Sequence, residues 1–395
     1  MRKLNALLLV ALLSVMAVEA AEWQEEMSPT TYNLLGVFFY DTDHGWACGE
    51  NEIILGTSDG GNSWSIQHLG GVSLRRIWFS DTMNGWAVGN DQTILHTADG
   101  GVTWNTQLSG STGLKDICFL DDSDGWAVGR DGLILHTPNG GGDWAEKESG
   151  TVDDLFGVYF ASPDTGFAVG QDAVITRTTD GDTWEVTHTA TNEHLRAVEA
   201  YSCDRAWAVG LDGYILRTVN GGETWGQQYQ SCPENFYDVS VVGYNELWIV
   251  GAAGTILHST DGGSTWGSEG IGTPGFLYDV HMIDHWNGWA VGEDGALLSY
   301  CDTTGVAERS FGALGEGYGA SLVENPSPVM EVDVSVPDGH SVVLSVFDVS
   351  GRKLSEMDGI TSGRYQLDIE SPGVVFVKME TDEGVSMTIP SVMLD

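Results

Sequence analysis

The chain has 395 residues, with 57 acidic against 16 basic side chains and a formal net charge of −41. That length accommodates two or three domains, and that charge excludes nucleic acid and anionic lipid as general partners, because both are repelled. The 53 glycines against 10 prolines point to many tight turns, since the glycines recur at regular places.

The chain begins MRKLNALLLVALLSVMAVEA. Arg2 and Lys3 precede an apolar stretch from Leu7 to Val18 that is short for a bilayer span, and Val18-Glu19-Ala20 offers a cleavage site. Residues 1–20 therefore read as a secretory signal peptide, with an uncleaved anchor as the alternative. No later stretch is apolar enough to span, so the mature chain is expected to be exported without a membrane span, to the cell surface or medium or, alternatively, the periplasm.

A repeat follows. Seven strings (GWACG, GWAVG, GWAVG, GFAVG, AWAVG, LWIVG, GWAVG) place Trp46, Trp86, Trp126, Phe167, Trp207, Trp248 and Trp289 at spacings of 40 or 41 residues. Twelve residues before each aromatic stand Leu34, Leu74, Leu114, Leu155, Leu195, Phe236 and Leu277. Nine before stand Val37, Ile77, Ile117, Val158, Val198, Val239 and Val280, and seven before stand Phe39, Phe79, Phe119, Phe160, Ala200, Val241 and Met282. The last two sets alternate as a strand does. After each GWAVG string come a short turn such as RDG, a strand such as LILHT, a second turn ending on Trp, and a fourth strand. Four short antiparallel strands in about forty residues make one propeller blade.

The Trp of the second turn recurs at Trp64, Trp104, Trp144, Trp184, Trp225 and Trp266, one fewer than the GWAVG strings. Trp23 stands in register 41 residues before Trp64. EWQEE is therefore expected as the outermost strand of the seventh blade, closing the ring and removing free edges. The predicted fold is all-β: a seven-bladed β-propeller with a shared closing blade over residues 21–305.

Six of the second turns (SDGGNSW, ADGGVTW, PNGGGDW, TDGDTW, VNGGETW, TDGGSTW) open on Asp59, Asp99, Asn139, Asp180, Asn220 and Asp261. Such a side chain accepts backbone N–H bonds of its own turn, and glycine supplies positive φ. These turns resemble the Asp-box of sialidases and related propellers. A structural role is expected, because six copies around a ring cannot converge on one substrate.

Eleven residues before each GWAVG aromatic, where the innermost strand begins, stand Leu35, Arg75, Lys115, Phe156, Arg196, Tyr237 and Tyr278. Arg76 follows directly, and Arg130 occupies a turn on the same face. Arg75, Arg76, Lys115, Arg130 and Arg196, with Tyr237 and Tyr278, are the candidate binding residues at one mouth of the channel, suited to a partly acidic peptide or a glycan. Equally open is that these bases only balance Asp116, Asp238 and Asp279. Replacing Arg75, Arg76 and Arg196 by Ala is expected to weaken ligand capture without changing the melting temperature.

No cofactor, metal or catalytic residue is expected. Cys48, Cys118, Cys203, Cys232 and Cys301 form no CxxC pair, and Cys203 with Cys232 is either paired or free. His96, His136, Arg177, Arg217 and His258 occupy equivalent outer positions that diverge around the ring, so packed side chains are expected rather than a metal centre.

The combination GWAVGxxGxILHTxDGGxTW resembles the photosystem II stability/assembly factor family over about Trp23 to Tyr300. The resemblance implies a seven-bladed propeller that binds an unassembled reaction-centre subunit, with Arg75, Arg76, Arg196 and Arg130 standing where the family uses arginines near the mouth. This chain departs in its net charge and in carrying a base on only some blades. The tail, residues 326–395 after a linker at 306–325, shows alternating strands and reads as a small Ig-like β-sandwich. It resembles the C-terminal sorting domain of type IX secretion through NP, FDVSGR and GRYQLDI, with Phe347 where that family has Tyr and without its basic ending. The resemblance implies secretion machinery as a partner.

These readings converge on an exported, non-enzymatic binding or scaffold propeller whose partner is a protein, peptide or glycan, with no nucleic acid partner. The regular short loops leave little room for a catalytic constellation. The alternative is a glycoside hydrolase of sialidase-like or xyloglucanase-like type, with facing carboxylates drawn from Asp116, Asp238 and Asp279. A structural module of a surface assembly is a third reading.

Overall fold

The computed structural model describes residues 22–188, 193–228, 234–270, 272 and 275–301, and in the tail the strands of 319–323, 330–335, 342–348, 353–360, 363–367, 373–381 and 386–394. The expected signal peptide and Cys232 lie outside the described residues. Residues Glu22–Cys301 form one unit, and the tail strands belong to another.

The first unit is seven four-stranded antiparallel sheets. Blade one is Leu34–Phe39, Gly45–Gly49, Ile54–Thr57 and Ser65–His68, from the channel outward. Blades two to six repeat that order, beginning at Leu74, Leu114, Leu155, Leu195 and Phe236. Blade seven is Leu277–Met282, Asn287–Gly292 and Leu297–Cys301, completed by Glu22–Glu25, with Trp23 opposite Tyr300 and Glu25 opposite Leu298. The chain's two ends close the ring where the repeat count requires it.

Four of the seven pairs of neighbouring blades are joined by one recurring contact, and Ala200, Val241 and Met282 stand in place of the ring in the other three. Trp46 of blade one lies flat on Phe79 of blade two, with centroids 3.5 Å apart and planes at 10°. Phe79 in turn meets Trp104 edge-on at 86°. The same triplet recurs at Trp86, Phe119 and Trp144, at Trp126, Phe160 and Trp184, and at Trp289, Phe39 and Trp64. Each first Trp also needs a partner for its indole N–H. Trp46, Trp86, Trp207 and Trp289 donate it to a carbonyl in the next blade's Asp-box turn, at Gly100, Gly140, Gly262 and Gly60, over 3.0 to 3.2 Å.

The exceptions follow from the sequence. Phe167 has no N–H, and Arg177 Nη1 donates to the Gly221 carbonyl at 2.7 Å in its place. Trp126 faces the TDGDTW turn, which is one residue shorter than the others, and Trp248 faces the blade closed by chain ends. Both indole nitrogens are buried without a partner among the described residues.

Both glycines of GWAVG are steric requirements. A Cβ on Gly45, Gly85 or Gly125 would enter the ring of Phe39, Phe79 or Phe119. A Cβ on Gly49, Gly129 or Gly292 would collide with the carbonyl of Asn33, Gly113 or Phe276, just where the innermost strand begins.

In the tail, Gly319–Val323, Met330–Ser335 and Gly363–Leu367 form a three-stranded antiparallel sheet, and Lys353–Ile360, Val342–Asp348, Gly373–Thr381 and Ser386–Leu394 a four-stranded one. Residues 319–323, read from composition as the end of the linker, are a strand paired with Met330–Ser335. Their glycine- and alanine-rich surroundings hid the extended Ser321-Leu322-Val323 run.

Closure rests on Trp23, which is 2% exposed and sits edge-on to Trp248 at 5.7 Å and against Tyr300 at 5.4 Å. Trp23→Ala is expected to destabilise the propeller by about 3–5 kcal/mol, with Trp23→Phe recovering most of the loss. Denaturant midpoints measure this, and an unchanged midpoint for Trp23→Ala would show that the borrowed strand contributes nothing.

Candidate functional site at the channel mouth

The innermost strand of every blade starts with a β-bulge. Its register against the second strand slips between Leu34 and Gly36, Leu74 and Arg76, Leu114 and Asp116, Leu155 and Gly157, Leu195 and Ala197, Phe236 and Asp238, and Leu277 and Asp279. The extra residue of each bulge is Leu35, Arg75, Lys115, Phe156, Arg196, Tyr237 or Tyr278. A bulge re-aims a side chain that regular alternation would send elsewhere, and here it frees seven side chains from the blade interior. The turns between second and third strands join the same face, since Arg130 N–H donates to Gly113 O at 3.1 Å and Glu50 N–H to Asn33 O at 3.0 Å.

Arg75, Lys115 and Arg196 are half-buried and Arg130 is exposed. None of these four side chains makes an ion pair or hydrogen bond among the described residues, although Arg196 lies over the Phe156 ring at 4.8 Å. They feel one another's charge. Burial and then the positive charges of Arg75 and Arg130 bring Lys115 down to about 8. Burial lowers Arg75 and Arg196 as well. Across the opening, Tyr237, Phe276 and Tyr278 form an aromatic arc with centroids 5.6 to 6.2 Å apart.

Arg76 departs from the expectation that it serves this rim. It follows the bulge, so its side chain enters the channel. Its Nε stands 3.3 Å from Asp116, its Nη1 3.3 Å from Asp238, and Nη1 also pairs with Asp279. Those aspartates are clasps between blades: Asp116 accepts Val158 N–H at 2.8 Å, Asp238 accepts Val280 N–H at 3.1 Å, and Asp279 accepts Val37 N–H at 2.6 Å. Removing Arg76 would leave them without a counter-charge, so a variant lacking it should melt below the parent, contrary to the expectation from sequence.

Glu199 joins this group from blade five, accepting a hydrogen bond from the Val241 backbone. Three carboxylates thus share one guanidinium, and the Glu199 carboxyl lies within reach of their charges. Burial, followed by the charge of Asp238, pushes Glu199 up to about 8, and burial pushes Asp238 up to about 6. His281, half-buried and bonded to Phe39 O at 3.0 Å, is pushed down to about 4 by desolvation and then by Arg76. Sequence reasoning missed Glu199 and His281. The signal was their position, eight residues before the GWAVG aromatic, shared with Phe38, Trp78, Cys118, Tyr159 and Ser240.

The Asp-box side chains lie apart from this mouth and serve their turns. Asp59, Asp99, Asn139 and Asp261 each accept the backbone N–H four residues on at 2.8 to 2.9 Å, and Asn220 does so at 3.1 Å. Asp180, in the shortened turn, accepts Thr183 N–H at 2.7 Å. The outer histidines are packed on indoles: His96 on Trp86, His136 on Trp126 and His258 on Trp248, while Arg217 lies over Trp207. No group of metal-ligating side chains occurs among the described residues.

Residues 15–109, 72–148, 147–233 and 227–301 match the family described as Photosynthesis system II assembly factor YCF48. The chain belongs to this family. A solved structure of YCF48 bound to a D1 peptide is 28% identical and superposes with a TM-score of 0.59, covering 71% of this chain and 96% of that one. YCF48 from Cyanidioschyzon merolae shares the fold at 21% identity and a TM-score of 0.60, covering 71% of this chain and 99% of that one. The Photosystem II assembly protein Ycf48 of Thermosynechococcus vestitus is 36% identical over 52 residues, which is 13% of this chain and 15% of that protein. This chain therefore matches well under two thirds of that curated relative's length.

Two outcomes test the channel cluster. Arg76→Met should destabilise by about 3–5 kcal/mol, because it strands Asp238 and Asp279, which are 4% and 1% exposed. Glu199→Gln should raise the melting temperature by an amount that grows from about pH 4.5 to about pH 8 and is constant above. Below the ordinary value of 4.5 the carboxyl is protonated folded and unfolded alike; between 4.5 and about 8 the unfolded chain releases a proton that the folded chain keeps, so the parent loses stability across that window and the loss is constant above it. Melts of both proteins from pH 4 to 9 check the sign, and an equal gain at every pH would remove the protonation account.

Proposed function

We propose that this chain is an exported, non-enzymatic binding propeller that takes an extended acidic segment of another protein across its channel mouth. One observation carries the reading. In a chain of net charge −41, Arg75, Lys115, Arg130 and Arg196 gather at one opening without an ion pair among the described residues, facing Tyr237, Phe276 and Tyr278. An intramolecular role would have matched these cations with some of the many available acids. Unmatched cations beside exposed aromatic edges suit carboxylates and apolar side chains alternating along one peptide. The YCF48 structure solved with a D1 peptide supports peptide capture as the use of this fold.

The channel beneath the mouth is crossed by Arg76 and its carboxylates, so the segment lies over the opening rather than threading it. A hydrolase reading loses its candidates, because Asp116, Asp238 and Asp279 already hold Arg76 and the backbone of the next blade. Export rests on the N-terminal signal-like stretch and on the resemblance of the tail to type IX sorting domains. Pairing of the tail strands into two antiparallel sheets supports the Ig-like sandwich reading.

Peptide pull-down and titration test the site. The Arg75→Ala, Arg196→Ala double variant should bind a glutamate- and phenylalanine-rich peptide at least about tenfold more weakly, since each charge-assisted contact is worth about 1.5–3 kcal/mol, and should melt like the parent. Equal capture by the double variant removes the mouth from consideration, and selective retention of glycans on an array would replace the peptide with a sugar.

A further inference from the structure

Three of the four unpaired cations at the mouth are guanidiniums, which keep their charge at any physiological pH. Lys115 is different, because an ammonium sheds its proton when it is crowded and partly dehydrated. It stands half-buried on the blade-three bulge. The charges that act on it come from Arg75 on the blade-two bulge, Arg130 on its own blade's turn, Arg196 on the blade-five bulge and Asp154 just before blade four, and the bulges of Arg75 and Lys115 are equivalent positions on adjacent blades. Asp154 is itself engaged, accepting the Asp131 N–H at 3.0 Å. Asp116, next in sequence, is turned into the channel toward Arg76.

We propose that the mouth captures a carboxylate together with a proton, and that Lys115 is the group that takes the proton up from solvent. This deepens the peptide-binding reading and rests on it. In the free protein, burial and three guanidinium neighbours already hold Lys115 near about 8. A carboxylate seated among the cations supplies the missing counter-charge and favours the ammonium. By linkage, whatever raises the proton affinity of Lys115 on binding makes capture tighter when that proton is available. The arginines set the location of the anion, and Lys115 sets the pH range in which it is held. Capture therefore weakens as pH rises through about 8.

Titration calorimetry of the full chain with a peptide of alternating glutamate and phenylalanine tests this, at about pH 8 in two buffers of different ionisation enthalpy. The expected result is uptake of about half a proton per peptide, with Kd rising several-fold, up to about tenfold, for each pH unit above the midpoint. In Lys115→Arg, whose charge is permanent, uptake should vanish and Kd should become flat with pH. Lys115→Gln should bind at low pH as weakly as the parent does at high pH. Binding by the parent without proton uptake overturns the inference and leaves the mouth reading intact. Uptake that persists in Lys115→Arg assigns the proton to another group and also overturns it. Failure of the parent to bind the peptide at any pH overturns both.

Discussion

Four of the seven blade interfaces depend on one contact: an indole in the second strand of one blade, stacked on an aromatic ring in the innermost strand of the next. The stacking buries both rings, and the indole N–H reaches a glycine carbonyl in the neighbouring turn. The Asp-box is therefore an acceptor-presenting device. Its Asp or Asn ties down the turn so that the carbonyl is held where the previous blade needs it. This explains why Asn139 and Asn220 replace Asp without consequence, since only one side-chain oxygen is required to accept. It also explains why the shortened turn at Asp180 coincides with an unpartnered Trp126.

The propeller divides its few bases between two duties that neighbouring residues illustrate. Arg75 and Arg76 are adjacent, yet one occupies a bulge and opens onto the mouth, while the other turns inward and neutralises carboxylates from blades three, six and seven. The inward arginine stabilises the ring because those carboxylates hold the backbone of the following blade. The outward one makes no side-chain ion pair or hydrogen bond among the described residues. A positive opening on a strongly acidic body draws anionic segments toward one face and repels them from the rest.

Much of this was legible in the residues. The period of 40 or 41, the seven aromatics against six turn tryptophans, and Trp23 in register specified both the blade number and the closing strand. The bulge was also written there, in the interval of three between Leu34 and Val37 where alternation requires two, but a pattern of buried positions does not say which intervening side chain swings out. On that pattern alone Arg76 groups with Arg75. The clasping role of Asp116, Asp238 and Asp279 depends on N–H groups about forty residues further on or across the closure, and no local pattern carries that information. Glu199 and His281 were hidden for the same reason: their neighbours come from other blades.

The shared blade has a consequence for how the molecule is made. Glu22–Glu25 lie near the beginning of the chain, but the strand they pair with, Leu297–Cys301, is synthesised only after every other blade. The first hydrogen-bonding edge to appear is thus the last to be satisfied, and contacts so distant along the chain form slowly. A ring that cannot shut until its far end arrives stays open throughout synthesis, with the Trp23 strand unpaired until the seventh blade is made.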